Sequence, residues 1–328
     1  RHLWYQMMNL NSLSRLVSNY DVVHGQDAAV FPMISCCKKS SPRPPWVVTV
    51  HTGVVSQLYY ALESLVRLEG SLGDFFTNVI GFPLWDMSLR GHAKFADAIV
   101  GVSQSLSKEI LRCYGVDPNR LFTIHSGVDV SHLEEIARGR SSYFYRVKKV
   151  SIFYGGRLYW CKGILFLLKA LYYLAHKLEF KDFQLHVFGD GPLERKVRQL
   201  VLDFNLAENV KLWGFVQHHE LIASMATSDV VCFPSVYEAC PLGMIEAMAL
   251  GRPVLAFDRP FSRELLGDNL ELPPAKSIED YARSLYVLCS SEDLRKKIGA
   301  SLQSLARQNF DIKMVADKYS KLYEHLLS

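Results

Sequence analysis

The chain has 328 residues, 49% hydrophobic and 21% charged, and 37 Lys+Arg against 33 Asp+Glu leave a net charge of +4. That length suits two domains of ordinary size, and the charge balance excludes a highly basic nucleic-acid sheath and an acidic disordered tail. No apolar run reaches the roughly 18 residues of a spanning helix, so an integral membrane protein is not expected. Seven cysteines (Cys36, Cys37, Cys113, Cys161, Cys232, Cys240, Cys289) include no CxxC pair. Neither a disulfide framework nor a structural zinc is therefore expected, and a reducing cytoplasm is the setting they suit. The chain opens with Arg1 and carries no signal-peptide pattern, which reads as a fragment.

In chain order, the first strand expected is Trp46–Val50 (WVVTV). The stretch Ser56–Phe95 is rich in aromatics and leucine but broken by Gly70, Gly73, Gly81 and Pro83. It reads either as helices packing on the first domain or as an amphipathic surface that meets a lipid or apolar acceptor. Strands follow at Ala98–Val102 and Leu121–Ile124. The charged segment Glu134–Arg146 then has no strand before Val150 and reads as a hinge, which predicts a first domain over 1–135 and a hinge over 136–149. A second α/β unit over 150–310 alternates strands at Val150–Tyr154, Gln184–Gly189, Val210–Trp213, Asp229–Phe233 and Pro253–Phe257 with helices at Gly163–Lys177, Leu193–Phe204, Glu220–Ala226 and Leu242–Leu250. Near-continuous apolar strands alternating with helices predict parallel, doubly wound sheets. Ser277 to Asp280 reads as a capping box, with helices around Ser291–Gln308 and Ile312–Leu327 to follow.

Three strand-to-helix turns of the second unit carry chemistry. After Phe233 come Pro234, Glu238, Pro241 and Glu246. Pro241 suits the start of a helix, whose first amides, Leu242 and Gly243, would face the crevice beyond the strand ends as an anion site. Carboxylates there suit neutral hydroxyls: Glu246 a ribose, Glu238 a hexose. The plainer reading of Glu246 is a charge complementing the helix N-terminus. In Tyr154-Gly-Gly-Arg157 to Lys162-Gly163, Gly156 permits close backbone approach and Arg157 and Lys162 together would neutralise a diphosphate without a metal; the plainer reading is a solvated pair of cations. The turn Gly189-Asp-Gly-Pro fails the dinucleotide fingerprint, because Glu194 holds the third glycine position. In the first unit His51 closes a strand and faces the other domain.

The Glu238-x7-Glu246 spacing with Ala247–Val254, the Gly-Gly-Arg-Leu…Lys-Gly turn, Gly-Asp-Gly-Pro and Pro234-Ser235 resemble, in order, the signature of family 4 retaining glycosyltransferases. The first unit adds Tyr20-Asp-Val-Val-His24, the His51 turn, Ala96–Ser103 and Ile124–Asp129. The resemblance implies a GT-B fold, two Rossmann-like doubly wound domains facing across a cleft, with the C-terminal helix over 311–328 crossing back to the first. It implies a nucleoside-diphosphate hexose as donor, UDP-linked before GDP-linked, and no cofactor or metal. Arg157, Lys162 and the Leu242 and Gly243 amides would hold the diphosphate, Glu246 the ribose, Glu238 and His51 the sugar, and Gly189 and Val216 the base. The acceptor would be a lipid-linked molecule or a saccharide, with peripheral contact at the inner membrane face and no nucleic acid as partner.

Departures from the pattern are the start at Arg1–Ser18, where the family's first strand and glycine-rich loop are expected to be missing, Ser126 in place of Asn, and no Gly-rich turn after Arg263-Glu264. A GT-B phosphorylase, a sugar-nucleotide epimerase and a non-catalytic nucleotide-sugar-binding subunit share the architecture. A nicotinamide-dependent oxidoreductase lacks its fingerprint here.

Overall fold

Two parallel sheets organise the described residues, as strands apolar on both faces require. The computed structural model describes residues 19–27, 43–53, 58, 86–139, 149–267 and 274–328. Residues 1–18, most of Ser56–Phe95, 140–148 of the expected hinge and 268–273 lie outside the described residues. The described chain divides into two units, one holding residues up to 126 together with 315–328, the other 127–314.

In the first unit β1 (Val23–Gln26), β2 (Trp46–Val50), β3 (Ala98–Gly101) and β4 (Leu121–Thr123) lie side by side in chain order, all parallel. Every residue of β2 and β3 is buried. This sheet shows no reversal of strand order among the described residues, so the doubly wound pattern is displayed by the other one. Residues 86–95 are helical. Helix α1 (Gln104–Tyr114) starts where the Ser103 hydroxyl accepts the Leu106 N–H and stops at Gly115, whose left-handed φ of 59° lets its N–H reach Leu111 O.

The second unit opens with α2 (Val130–Gly139), whose first turn is capped by Asp129 Oδ1 accepting the His132 N–H at 2.9 Å. This corrects the reading of residues 136–139 as hinge and of 127–135 as first domain. Val130, Leu133 and Ile136 recur at helical spacing and are buried, while Glu134 pairs with Arg307, so the charged residues are the outer face of a packed helix. There follow β5 (Val150–Gly155), α3 (Ile164–His176), β6 (Phe183–Phe188), α4 (Glu194–Asp203), β7 (Val210–Gly214), α5 (His218–Thr227), β8 (Val230–Phe233), α6 (Leu242–Ala249), β9 (Val254–Ala256), α7 (Pro260–Leu266), α8 (Ile278–Ser290), α9 (Glu292–Asn309) and α10 (Ile312–Leu327). The Ser277 hydroxyl accepts the Asp280 N–H and starts α8.

Strands run in the order β7-β6-β5-β8-β9, all parallel. Helix α3 packs against α8 and buries Ile164, Leu165, Leu167, Leu168, Leu171 and Leu174, each contributing about 1.5–3 kcal/mol of apolar transfer. Helix α10 sends Val315 and Leu322 into the first unit's core with Val47, Ala98, Val100 and Ile124. Among the described residues no helix is long and apolar enough to cross a membrane.

Candidate functional site

The chain leaves β5 toward β6 and β7 on one side, then returns to lay down β8 and β9 on the other. The connections after β5 and β8 therefore diverge, and a crevice opens beyond their carboxyl ends, the position where open α/β sheets bind ligands. A small pocket there is lined by Tyr154, Gly155, Gly156 and Lys162 from one strand end and by Cys232, Phe233, Pro234 and Ser235 from the other.

Backbone contacts hold these turns together. Gly156 N–H donates to Phe188 O (3.0 Å), Leu158 N–H to Asp190 O (2.7 Å) and Gly189 N–H to Gly214 O (2.7 Å), so the ends of β5, β6 and β7 are laced in a row. At Gly189 (φ 119°) a Cβ would stand 2.1 Å from Gly156 O. At Gly163 (φ 74°) a Cβ would stand 1.8 Å from Pro234 O, and Val236 N–H donates to Cys161 O at 2.8 Å. The Lys162–Gly163 turn thus rests directly on the loop that carries Ser235 and Glu238. Only glycine allows that approach.

On this frame Lys162 Nζ donates to Glu238 Oε1 at 2.5 Å, and Ser235 Oγ donates to the same oxygen at 3.0 Å. The Glu238 side chain is 14% exposed and that of Lys162 34%. Beneath them the Tyr154 phenol is driven well up from its ordinary pKa by burial, with Cys161 and Glu238 adding to the effect, and it stays protonated. Glu246 is held by a second ring of contacts: His218, the first residue of α5, places Nε2 at 2.8 Å from Glu246 Oε1. Helix α6 begins after Pro241 with no side-chain cap. Its internal bonding starts with Met244 and Ile245 donating to Pro241 O, which leaves the Leu242 and Gly243 amides at the positive end of the helix.

Arg157 is engaged differently from Lys162. It is exposed, lies 4.3 Å over the Tyr159 ring and donates to the Tyr159 hydroxyl at 2.9 Å, so the two cations sit on separate partners. Val216 occupies the turn between β7 and α5, next to Phe215, which is 70% exposed. His51 belongs to the first unit, apart from the other expected site residues, which all belong to the second. It follows β2, and its backbone N–H donates to Asp27 Oδ1 at 2.7 Å while its Nε2 lies 2.6 Å from Gln26 Oε1. Burial raises the Asp27 carboxyl, and the His51 and Thr52 amides and the nearby imidazole pull it back.

Sequence reasoning missed His218, which partners Glu246 across 28 positions, and Gln26 and Asp27, which hold the His51 turn. Only the strand order brings these residues together. Chemically, the switch point offers a lysine, two carboxylates with hydrogen-bonded oxygens and a helix N-terminus, a set suited to a ligand with an anionic part and neutral hydroxyls. Among the described residues, no group of three or more His, Cys, Asp or Glu is placed to hold a metal ion.

The profile of the family described as "Glycosyl transferases group 1" matches residues 139–303, and that of "Glycosyltransferase Family 4" matches residues 1–132. An uncharacterized glycosyltransferase of Methanocaldococcus jannaschii is 26% identical over 274 residues, 82% of this chain and 66% of that protein. The chain thus spans just under two thirds of that relative. A phosphatidyl-myo-inositol mannosyltransferase of Mycobacterium leprae is 26% identical over 309 residues, 93% of this chain and 74% of that protein. Among solved structures, HepE of Anabaena in complex with UDP aligns with a TM-score of 0.74 at 18% identity, over 96% of this chain and 82% of that one. At that identity the likeness establishes the fold, which is of the GT-B class.

Proposed function

This chain belongs to the glycosyl transferases group 1, and from that membership we propose that it moves a hexosyl group from a nucleoside-diphosphate sugar to an acceptor hydroxyl with retention at the anomeric carbon. The donor is UDP-linked in preference to GDP-linked; UDP in the HepE complex supports that choice. The acceptor is lipid-linked or a saccharide, which the name of the mycobacterial mannosyltransferase supports on the lipid side. A cytoplasmic protein touching the inner membrane face is the accompanying expectation. The observation that carries the reading is the Lys162–Glu238–Ser235 contact beside the uncapped start of α6, set at the strand-order reversal of the second sheet.

In this reading Lys162, Arg157 and the Leu242 and Gly243 amides stabilise the charge that grows on the departing diphosphate. No metal takes part. Gly156 lets the backbone come close, Glu246 accepts from the ribose hydroxyls, and Gly189 and Val216 border the base. Glu238 and His51 hold the hydroxyls of the transferred sugar. The C1–O bond to the diphosphate breaks as the acceptor oxygen bonds C1 from the same face, and the acceptor proton passes to the departing phosphate oxygen. Catalysis then consists of positioning and electrostatics supplied by fixed groups.

The test is a thermal-shift panel of nucleoside diphosphates and their hexoses, each with and without EDTA. UDP and a UDP-hexose should raise the unfolding midpoint, with EDTA making no difference. A panel in which no nucleotide shifts the midpoint overturns the donor assignment, and a shift abolished by EDTA overturns metal independence. Product analysis separates transfer from an epimerised donor or a sugar phosphate. Sedimentation with acidic liposomes tests the membrane contact, and a protein that stays in the supernatant removes it.

A further inference from the structure

The first sheet carries a chain of polar contacts that nothing in the transfer chemistry above uses. His24 and Gln26 alternate on β1 and lie opposite Val47 and Thr49 of β2, so all four share one face of the sheet. That face is the one α10 covers, since Val47 shares a core with Val315 and Leu322, against which Tyr319 and Tyr323 also pack. On it His24 Nδ1 lies 2.6 Å from the Tyr323 hydroxyl, His24 Nε2 lies 2.8 Å from Thr49 Oγ1, and Thr49 Oγ1 lies 3.0 Å from the Tyr319 hydroxyl. Gln26 Nε2 lies 3.4 Å from His24 Nε2, and Gln26 Oε1 lies 2.6 Å from His51 Nε2.

Donor and acceptor chemistry gives this chain a direction. An amide nitrogen only donates, so His24 Nε2 accepts and the His24 proton sits on Nδ1, donated to the Tyr323 oxygen. An amide oxygen only accepts, so His51 must carry a proton on Nε2. Burial lowers the His24 pKa, which favours the neutral ring that this pattern requires. The neighbouring Asp27 fixes the His51 backbone while Gln26 fixes its ring.

We propose that Gln26 is a positioning residue that holds the His51 ring in the Nε2–H form, and that α10 sets Gln26 through Tyr323 and His24. A singly protonated His51 ring is then left with Nδ1 as its remaining acceptor. The catalytic meaning of this role presupposes that His51 meets the transferred sugar; the tautomer itself does not, so the two can fail separately.

The test is long-range proton–nitrogen correlation NMR on the full chain with labelled histidine, at neutral pH and without any nucleotide. The His51 signals are assigned by their loss in His51→Asn. In the parent protein His51 should show a protonated Nε2 and a lone-pair Nδ1. Gln26→Leu, at an exposed position, should collapse these to the averaged signals of a mixed tautomer. Gln26→Glu keeps an acceptor for His51 and should preserve them. Tyr323→Phe, which removes a single hydroxyl, should shift the His51 signals the same way as Gln26→Leu but less. A His51 that carries its proton on Nδ1, or that ignores Gln26→Leu, overturns the positioning role. A His51 that responds to Gln26→Leu but not to Tyr323→Phe removes α10 from it.

Discussion

The two sheets present polar groups in opposite styles. At the reversal point of the second sheet an ion pair, Lys162 with Glu238, stands with a histidine–carboxylate contact, His218 with Glu246, each partly open to solvent. On the first sheet they are neutral and chained, tyrosine to threonine to histidine to amide, with much of the chain tucked under a helix. An accessible ion pair is exchangeable: a bound diphosphate can take over the lysine, and the freed carboxylate can turn to hydroxyls. A neutral chain has no charge to exchange and instead fixes geometry and tautomer. One sheet is equipped to trade partners and the other to hold one arrangement.

The sharpest way to break this contrast is Lys162→Ala, which should lower donor turnover by about 10²–10³-fold in single-turnover assays, the scale of losing one group that stabilises a developing charge. Unchanged turnover would mean the second sheet's cation is ornamental. Next come two glycines with left-handed backbones, one per unit. Gly163→Ala drives a Cβ into Pro234 O and should cost about 3 kcal/mol or more in urea unfolding, whereas Gly115→Ala meets nothing within 4 Å and should cost only the backbone strain of about 1–2 kcal/mol. Equal costs would show that the Gly163 turn is not wedged against the β8 loop.

A third comparison uses one buried histidine from each unit. Burial lowers His92 to about 4, and burial with the charge of Lys211 lowers His186 to about 4. Between pH 6.5 and about 4 the unfolded chain takes up protons that the folded chain refuses, so stability is full above about pH 6.5 and falls as the pH drops. Each histidine should add up to about 1.4 kcal/mol per pH unit to that slope. His92→Gln and His186→Gln should each flatten it in thermal melts, and a slope unaffected by either change removes that histidine from the balance. The smallest effect expected is on UDP binding by Glu238→Gln. Releasing Lys162 from its partner should tighten UDP by about threefold to fivefold in calorimetry, the scale of a partly exposed ion pair. Weaker binding would mean that Glu238 orients the lysine toward the diphosphate instead of competing for it.

The parallel sheets were legible because β2, β3, β6 and β8 are short apolar runs between turns, with burial to match. β1 escaped notice because Val23–Gln26 contains one apolar side chain, and its place is set by pairing with β2. The later part of helix α2 was read as hinge because Glu134, Glu135 and Arg138 interrupt the buried trio of Val130, Leu133 and Ile136. At the site, the turns bearing Lys162, Glu238 and Glu246 could be found from glycine, proline and spacing. That Lys162 closes onto Glu238, and that His218 reaches Glu246, could not, because 76 and 28 positions separate these partners and only the sheet order joins them.

The assignment of residues 315–328 to the first unit has a consequence for how the protein is made. Domains generally fold as the ribosome delivers them, the earlier one first. Here the earlier sheet waits for Val315, Leu322 and the two tyrosines to finish its core, while the later sheet is complete once residue 314 has emerged. The sheet translated earlier is therefore sealed after the later one, when Val315 and Leu322 close over Val47 and Val100.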